Sequence, residues 1–197
     1  GLLYADNTDI IGIHKSLEYN KVSIDKLSSV LILGMGGAGR ATAEYLSQII
    51  KNVYCYDVKN FKIGKESSIK KLLTLGQLQQ YQYDLIINAT PLGKYYFDKI
   101  INDFSSPIGL SILDRISNKN TILQEMNYLP VETLFLEMGN YMGLKTISGI
   151  LMLVFQATES YKRYFNEELT NSQIDAIVQK MMTYVKMKEE DVFKLSV

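Results

Sequence analysis

Short apolar runs alternate with amphipathic segments along the chain. Apolar runs bounded by glycine or polar residues are typical of buried strands, whereas apolar residues three and four positions apart are typical of helices. On this basis the sequence predicts strands at 30–33, 52–57, 85–87, 121–130 and 145–149, with a further strand or turn at 108–114. It predicts helices at 9–19, 40–50, 65–78, 133–142 and 150–165, and a final helix capped by Asn171 and Ser172.

This alternation predicts the fold class. Strands that alternate with helices form a parallel sheet through right-handed crossovers, and the helices then cover both faces of the sheet. We therefore expect a Rossmann-like, doubly wound α/β fold with a mostly parallel sheet. The 197 residues contain no internal repeat and no low-complexity linker, which favours one folded unit.

A glycine-rich loop follows the first predicted strand directly. Gly34, Gly36 and Gly39 fit the pattern G-x-G-x-x-G, and Gly37 and Ala38 complete the loop before a helix begins. The first glycine permits a tight turn, the second lets a pyrophosphate approach the backbone, and the third allows close packing of helix and strand. The free amides of the helix start favour an anion. The pattern predicts a dinucleotide site; the alternative is a turn that needs glycine only for packing.

An acidic residue closes the next strand, at the position expected for a ribose-binding carboxylate. Asp57 could accept hydrogen bonds from the adenosine ribose and would repel a 2′-phosphate, which favours NAD over NADP. Lys59, Lys62 and Lys65 follow closely and could offset that repulsion, but a solvated loop is the preferred interpretation. The cofactor is thus NAD or NADP, with a lean to NAD.

Charge and rare residues exclude several other classes of function. The formal net charge is zero, so we expect neither nucleic acid nor a membrane surface as a partner. The chain has one cysteine, Cys55, and one histidine, His14, which argues against a disulfide framework and a multi-histidine metal site; we expect no metal. No apolar run reaches transmembrane length and no signal-peptide pattern precedes the first helix, so a cytoplasmic location is expected.

Five segments, in order, resemble motifs of the shikimate dehydrogenase family, which includes the quinate dehydrogenases. The segments are LLYADNTDIIG at 2–12, GMGGAGRA at 34–41, NATPLGK at 88–94, YLPVETLFL at 128–136 and TISGILMLVFQATESYKRYF at 146–165. The family triplet NRT, which accompanies use of NADP, reads DVK at 57–59 here, in agreement with the lean to NAD. Leu129, Leu134 and Lys94 depart from the family's asparagine, proline and methionine, and Tyr4 and Ala5 replace a family glycine.

The resemblance implies hydride transfer between nicotinamide and a ring carbon of shikimate, quinate or a similar acid, as in aromatic amino acid biosynthesis. Asp9 matches the family aspartate that acts with a lysine at the reacting hydroxyl, and Asn7, Tyr128 and Gln156 match substrate-binding positions. From the residues alone, the preferred interpretation of Asp9 is a first-turn carboxylate favoured by the helix dipole, and Gln156 could be a polar residue on a half-exposed helix.

The resemblance also implies further cofactor-binding positions. These are Asn88, Thr90, Pro91, Leu92, Gly149 and Met152. Met152 could otherwise be an ordinary core residue, because methionine fills irregular gaps.

In the family the catalytic lysine, a serine pair and a substrate-binding asparagine belong to an amino-terminal substrate domain. By resemblance, residues 1–20 are a hinge segment and linking helix, 21–150 the dinucleotide-binding domain, and 151–197 carboxy-terminal helices that pack on it. We expect the substrate domain to be absent from the chain and to be its partner, and we expect the chain alone to be inactive. A homodimer stays open.

Two other functions stay open at this point. One is a non-catalytic dinucleotide-binding module or sensor, which would need the glycine loop but not Asp9. The other is a different two-domain dehydrogenase, such as a methylene-tetrahydrofolate dehydrogenase or a glutamyl-tRNA reductase. The NTD segment at 7–9 and the LMLVFQA segment at 151–157 argue against this second alternative.

Overall fold

A six-stranded, fully parallel sheet forms the centre of the computed structural model, which describes residues 7–64, 67–72, 74–94 and 105–195, the last five as backbone only. The order across the sheet is β3-β2-β1-β4-β5-β6, so the chain leaves β1 in one direction and later returns to its other side. The strands are β1 Ser29–Leu33, β2 Asn52–Tyr56, β3 Lys70–Leu72, β4 Leu85–Asn88, β5 Ile122–Glu125 and β6 Lys145–Ile147.

Seven α-helices and one 3₁₀ turn connect these strands in the described part of the chain. The helices are α1 Thr8–Tyr19, α2 Gly37–Ser47, α3 Leu75–Leu78, α4 Leu110–Ile116, α5 Leu134–Tyr141, α6 Gly149–Phe165 and α7 Asn171–Leu195, and the 3₁₀ turn is Ile24–Lys26. Among the described residues, no helix is long and apolar enough to cross a bilayer.

Helices cover both faces of the sheet, and successive residues of each strand point to opposite faces. Val30 and Ile32 of β1 pack in a cluster with residues of α1, α2, α6 and α7, whereas Leu31 and Leu33 pack in a second cluster with residues of α3, α4 and α5. The apolar stripe of α7 joins the first cluster through Val178 and Val185, which are both buried, and the other stripe residues are partly buried beside them. The predicted doubly wound α/β fold is therefore confirmed.

Two predicted elements are wrong. The segment 65–78 was expected to be one helix, but Lys70–Leu72 forms strand β3, and only Leu75–Leu78 is helical. The Lys-Leu run resembles a helix, but pairing with β2 buries Ile69 and Leu72 and exposes Lys70 between them. The segment 108–114 was expected to be a strand or turn, but it contains the start of α4, because Leu113 and Ile116 are one helical turn apart and both buried.

Two helix starts also differ from the expectation. The helix predicted from Arg40 begins three residues earlier, at Gly37, inside the glycine loop. The cap of α7 is Thr170 instead of Asn171 or Ser172: the Thr170 hydroxyl accepts from the Gln173 amide, and the Gln173 side chain accepts from the Thr170 amide. This reciprocal pair is a capping box.

Helices α1 and α6 pack closely through Gly12. A β-carbon at Gly12 would lie 2.7 Å from the Met152 carbonyl oxygen and 3.1 Å from the Gln156 β-carbon. The hydroxyl of Thr8, one turn earlier, donates to the Gln156 side chain at 3.3 Å. The first turn of α1 is thereby fixed on α6. Residues 1–6, which include the start of the expected hinge with Tyr4 and Ala5, and Lys65 lie outside the described residues.

Candidate functional site

A cavity of about 500 Å³ lies between the carboxyl ends of β1, β2 and β4. Strand order reverses between β1 and β4, and ligands of doubly wound sheets bind in the crevice at this switch point. The volume lies in the range of small-molecule sites. The walls of this cavity, called the cleft below, include Gly34, Met35, Gly36, Arg40, Asp57, Val58, Phe61, Thr90, Pro91 and Leu92.

The glycine loop has the tight geometry that its sequence predicts. Gly34 has φ +95°, and an added β-carbon would lie 2.8 Å from the Thr90 methyl group, so only glycine suits this position. A β-carbon at Gly39 would lie 2.1 Å from the Gly34 carbonyl oxygen. Gly39 therefore permits the turn to fold back against its own helix.

The next part of the loop faces open space. A β-carbon at Gly36 or at Gly37 would meet no atom within 4 Å. The Arg40 amide donates to the Gly36 carbonyl at 3.0 Å, which closes the first turn of α2. The amides at Gly37, Ala38 and Gly39 precede that bond and have no acceptor within the helix, as at every α-helix start. A free helix start beside an open glycine backbone suits a phosphate group.

Asp57 joins the glycine loop to the loop that follows β2. One carboxylate oxygen accepts from the Met35 amide at 2.6 Å, and the other accepts from the Lys59 amide at 2.8 Å. Arg40 adds a second tie, since its Nε donates to the Met35 carbonyl at 2.9 Å. Asp57 thus supports the loop structurally, and it lies on the wall of the cleft where a ribose hydroxyl could still reach its remaining lone pairs.

The loop after β4 forms the opposite wall. The Asn88 side-chain oxygen accepts from both the amide and the hydroxyl of Thr90, at 3.0 and 2.7 Å. The Thr90 hydroxyl in turn accepts from the Leu92 amide at 3.2 Å. Asn88 itself is fully buried, whereas Thr90, Pro91 and Leu92 line the cleft. Asn88 therefore shapes this wall from below.

A buried carboxylate lies beneath that wall, at the end of β5. Glu125 is fully buried, and one of its oxygens accepts from the Asn88 side-chain amide at 2.9 Å and from the Thr133 hydroxyl at 2.8 Å. The other accepts from the amides of Met126 and Asn127 and from the Asn127 side chain, at 2.9, 2.9 and 3.0 Å. Five donors thus converge on one carboxylate.

Burial raises the pKa of Glu125 to about 7, and the hydrogen bonds from Asn127, Asn88, Thr133 and Met126 oppose that rise. Among the five donors, only the Thr133 hydroxyl can reverse its role and accept a hydrogen bond from a neutral carboxyl group. Protonation therefore leaves the other four donors in place.

Three of the residues that the resemblance assigns to catalysis or substrate, Asn7, Asp9 and Gln156, lie on or next to α1 and α6. Asn7 caps α1 by accepting from the Asp9 amide at 2.9 Å, and Asp9 is partly exposed in the first helical turn. Gln156 bonds to Thr8, the neighbour of Asp9, and Met152 is buried against Gly12.

Gly149 and Tyr128 connect this group to the end of β5. A β-carbon at Gly149 would lie 2.1 Å from the Asn127 carbonyl oxygen, so α6 starts in contact with the segment that carries Glu125 and Tyr128. Tyr128 is partly buried, and the Lys94 ammonium group lies 5.6 Å from its ring centroid.

The structure thus places the glycine loop, Asp57 and residues 88–92 around the cleft, and Asn7, Asp9, Met152 and Gln156 at the α1–α6 junction. Tyr128 and Gly149 belong to neither set, and neither Gly149 nor Met152 is among the residues that line the cleft. Sequence reasoning missed Arg40 on the cleft wall and the buried network of Glu125, Asn127 and Thr133. An acidic residue that ends an apolar strand was a signal that could have pointed to Glu125.

Comparison with known proteins gives a consistent set of relatives. No family model matches the chain. The shikimate dehydrogenase (NADP(+)) of Caldicellulosiruptor saccharolyticus is 35% identical over 174 residues, which cover 83% of this chain and 58% of that protein.

Two solved structures share the fold. A chorismate mutase/shikimate 5-dehydrogenase fusion protein from Clostridium acetobutylicum superposes with a TM-score of 0.75 at 30% identity, covering 92% of this chain and 62% of that one. Shikimate dehydrogenase 1 from Peptoclostridium difficile gives a TM-score of 0.75 at 31% identity, covering 91% and 63%. The chain therefore spans about three fifths of the length of these proteins.

The raised pKa of Glu125 predicts how stability changes with pH. The folded pKa of about 7 lies above the ordinary value of 4.5, so the folded protein holds the proton more tightly than the unfolded chain. This contribution to the unfolding free energy is complete below about pH 4.5 and is lost as the pH rises through 7; it amounts to about 3 kcal/mol at most. Glu125→Gln, which cannot titrate, should remove it.

Urea unfolding at pH 5 and pH 8 measures this contribution. The difference in unfolding free energy between the wild type and Glu125→Gln should be larger at pH 5 than at pH 8. Glu137→Gln, the same change on the exposed surface of α5, should follow the wild type at both values. Parallel pH curves for the wild type and Glu125→Gln would show that Glu125 titrates alike in the folded and unfolded states.

Proposed function

The chain belongs to the shikimate dehydrogenase family, and we propose that it forms the nicotinamide dinucleotide-binding part of such an enzyme. The observation that carries this proposal is the cleft at the switch point of the sheet, with an open glycine backbone at Gly36 and Gly37 beside the free amides of α2. The family relationship supports the same assignment through relatives that are named shikimate dehydrogenase.

The residues around the cleft fit the parts of a dinucleotide. The pyrophosphate would lie against the amides of the first turn of α2, where the partial positive charge of the helix favours an anion. The adenosine ribose would lie beside Asp57, and the nicotinamide would lie towards Thr90, Gly149 and Met152. Bound NAD(P) would supply hydride acceptance and donation.

The proposed reaction interconverts shikimate, or the related quinate, and its 3-dehydro ketone. Asp9 would hold and orient the lysine that the family pairs with it at the reacting hydroxyl, and Gln156 and Tyr128 would contact the substrate. Thr8 and Asn7 support this arrangement, because they fix the turn of α1 that carries Asp9.

Gly36→Ala tests the cleft directly. The new methyl group meets no protein atom within 4 Å, so the fold should be kept, but it would occupy the surface proposed for the pyrophosphate. We expect the Kd for NAD+ and NADP+, measured by calorimetry, to rise at least about tenfold.

Gly109→Ala is the matched control, because Gly109 is also an extended N-cap glycine with no atom within 4 Å of an added β-carbon. It should cost the same small amount of helix stability and leave both dissociation constants unchanged. Equal affinity in Gly36→Ala and the wild type would contradict binding at the glycine loop.

We further propose that Asp57 selects NAD over NADP. Its carboxylate would accept a bond from the ribose hydroxyl and repel a 2′-phosphate. The relative from Caldicellulosiruptor saccharolyticus is named for NADP(+), so cofactor preference is a point at which this chain would differ from it.

Asp57→Ala should shift the ratio of the two dissociation constants towards NADP+ by about tenfold or more, the effect of one lost bond to a charged group. The ratio is the readout because loss of the bonds to Met35 and Lys59 weakens both ligands alike. Asp25→Ala removes the same charge from an exposed position and should leave the ratio unchanged. An unchanged ratio in Asp57→Ala would remove Asp57 as the selector.

We propose that these 197 residues do not oxidise shikimate alone, because the lysine and serines that the family uses belong to a domain these residues do not match. Without that second wall the substrate would not be held against the nicotinamide. An absorbance assay with shikimate and NADP+ or NAD+ should show no reduced cofactor above the blank, although the dinucleotide binds.

Turnover by the chain alone would contradict the proposal that a second domain is needed for catalysis. A non-catalytic dinucleotide-binding module would give the same negative assay. The two functions separate once the sequence upstream of Gly1 in the parent gene is expressed with the chain: an enzyme should then turn over and lose turnover on Asp9→Asn, and a module should not turn over.

A further inference from the structure

Glu125 lies beneath the cleft and does not line it. The carboxylate is fully buried, and among the described residues it is joined to the cleft wall through other side chains and through the backbone that follows β5. The side-chain connections from Glu125 to residues of the cleft wall run through Asn88 and Asn127.

Asn88 has one orientation that satisfies all of its neighbours. Its oxygen accepts from the amide and hydroxyl of Thr90, while its NH₂ group donates to Glu125. A flipped Asn88 would direct its NH₂ group at the Thr90 amide, which is a donor and cannot accept. The Thr90 amide therefore fixes the orientation of Asn88. In that orientation the NH₂ group donates to Glu125 at 2.9 Å and, more weakly, to the Leu92 carbonyl at 3.4 Å, so Glu125 is the closer acceptor that holds Asn88 in place.

Asn127 holds the same loop from the other side. Its side-chain nitrogen lies 3.0 Å from the Thr90 carbonyl, 3.2 Å from the Leu92 carbonyl and 3.0 Å from Glu125. Thr90 and Leu92 are thus held both by Asn88 and by Asn127, and both of these side chains also donate to the one carboxylate of Glu125.

We propose that Glu125 is a positioning residue for the dinucleotide site, which holds Asn88 and Asn127 so that Thr90 and Leu92 form a preorganised wall of the cleft. The inference rests on the proposed function, since it assigns this wall to the bound cofactor. It adds a residue that touches neither cofactor nor substrate.

Glu125→Gln separates positioning from packing. The variant has nearly the same shape, but its NH₂ group must face either Asn88 or the donors of residues 126 and 127. In either case two hydrogen-bond donors face each other, and the hydrogen bond from Asn88 to Glu125 or the bonds from residues 126 and 127 to Glu125 are lost. Thr133→Val is the matched control, because it also removes one hydrogen bond from Glu125 at a buried position but leaves the acceptor for Asn88 in place.

The first measurement uses no ligand. Amide hydrogen exchange followed by NMR should be at least about tenfold faster at Thr90 and Leu92 in Glu125→Gln than in the wild type. A tenfold change corresponds to a decrease of about 1.4 kcal/mol in the free energy of opening the loop. Amides of β1 should be the internal reference, and Thr133→Val should leave Thr90 and Leu92 unchanged relative to it. Equal exchange at Thr90 and Leu92 in Glu125→Gln and the wild type would overturn the proposal.

The second measurement is the Kd for NAD+, the cofactor that Asp57 is proposed to favour, by calorimetry on the same proteins. Glu125→Gln should raise it about tenfold, and Thr133→Val less than about threefold. Equal rises in both variants would overturn the proposal, because the effect would then follow stability and not the orientation of Asn88. Absence of binding in the wild type would instead remove the proposed function, while the exchange rates would still report whether Glu125 holds the loop.

If Glu125→Gln does not fold, hydrogen exchange measured on the wild type tests the proposal. The proposal requires slow exchange at the Asn88 side-chain NH₂ group and at the Thr90 amide, because both are bonded inside the network. Exchange of both groups at the rate of an open loop would overturn it.

Discussion

The reversal of strand order beside β1 is the constraint on which the site depends. With six parallel strands, all carboxyl ends meet at one edge, and the loops after β1 and β4 must diverge because the chain continues to opposite sides of the sheet. The cleft is the space that this divergence leaves. The close contact of Gly34 with Thr90 then sets how near the two loops come, since a β-carbon added at Gly34 would lie 2.8 Å from the Thr90 methyl group.

The buried hydrogen-bond network around Glu125, beneath the cleft, shows a second physical principle. Burying a carboxylate is expensive unless donors surround it, and Glu125 receives five. The hydrogen bonds do not offset desolvation fully, because the pKa of Glu125 remains raised.

Much of this architecture could be predicted from the sequence, where the determining residues are close together along the chain. Gly34, Gly36 and Gly39 define a turn within six residues, and the apolar runs around them define the strands. The strand at Lys70–Leu72 escaped prediction because only its pairing with β2 decides between helix and strand. The Glu125 network escaped for the same reason: its partners Asn88 and Thr133 lie in other elements and converge only in the fold.

The central claim is that the cleft between the glycine loop and residues 88–92 binds a nicotinamide dinucleotide. The most direct test is an amide NMR titration of the chain with NAD+ and with NADP+. The account predicts saturable shifts that are largest at Gly36 to Gly39, Thr90 and Leu92, on both walls of the cleft. No shift at millimolar dinucleotide, or shifts centred away from these residues, would contradict it.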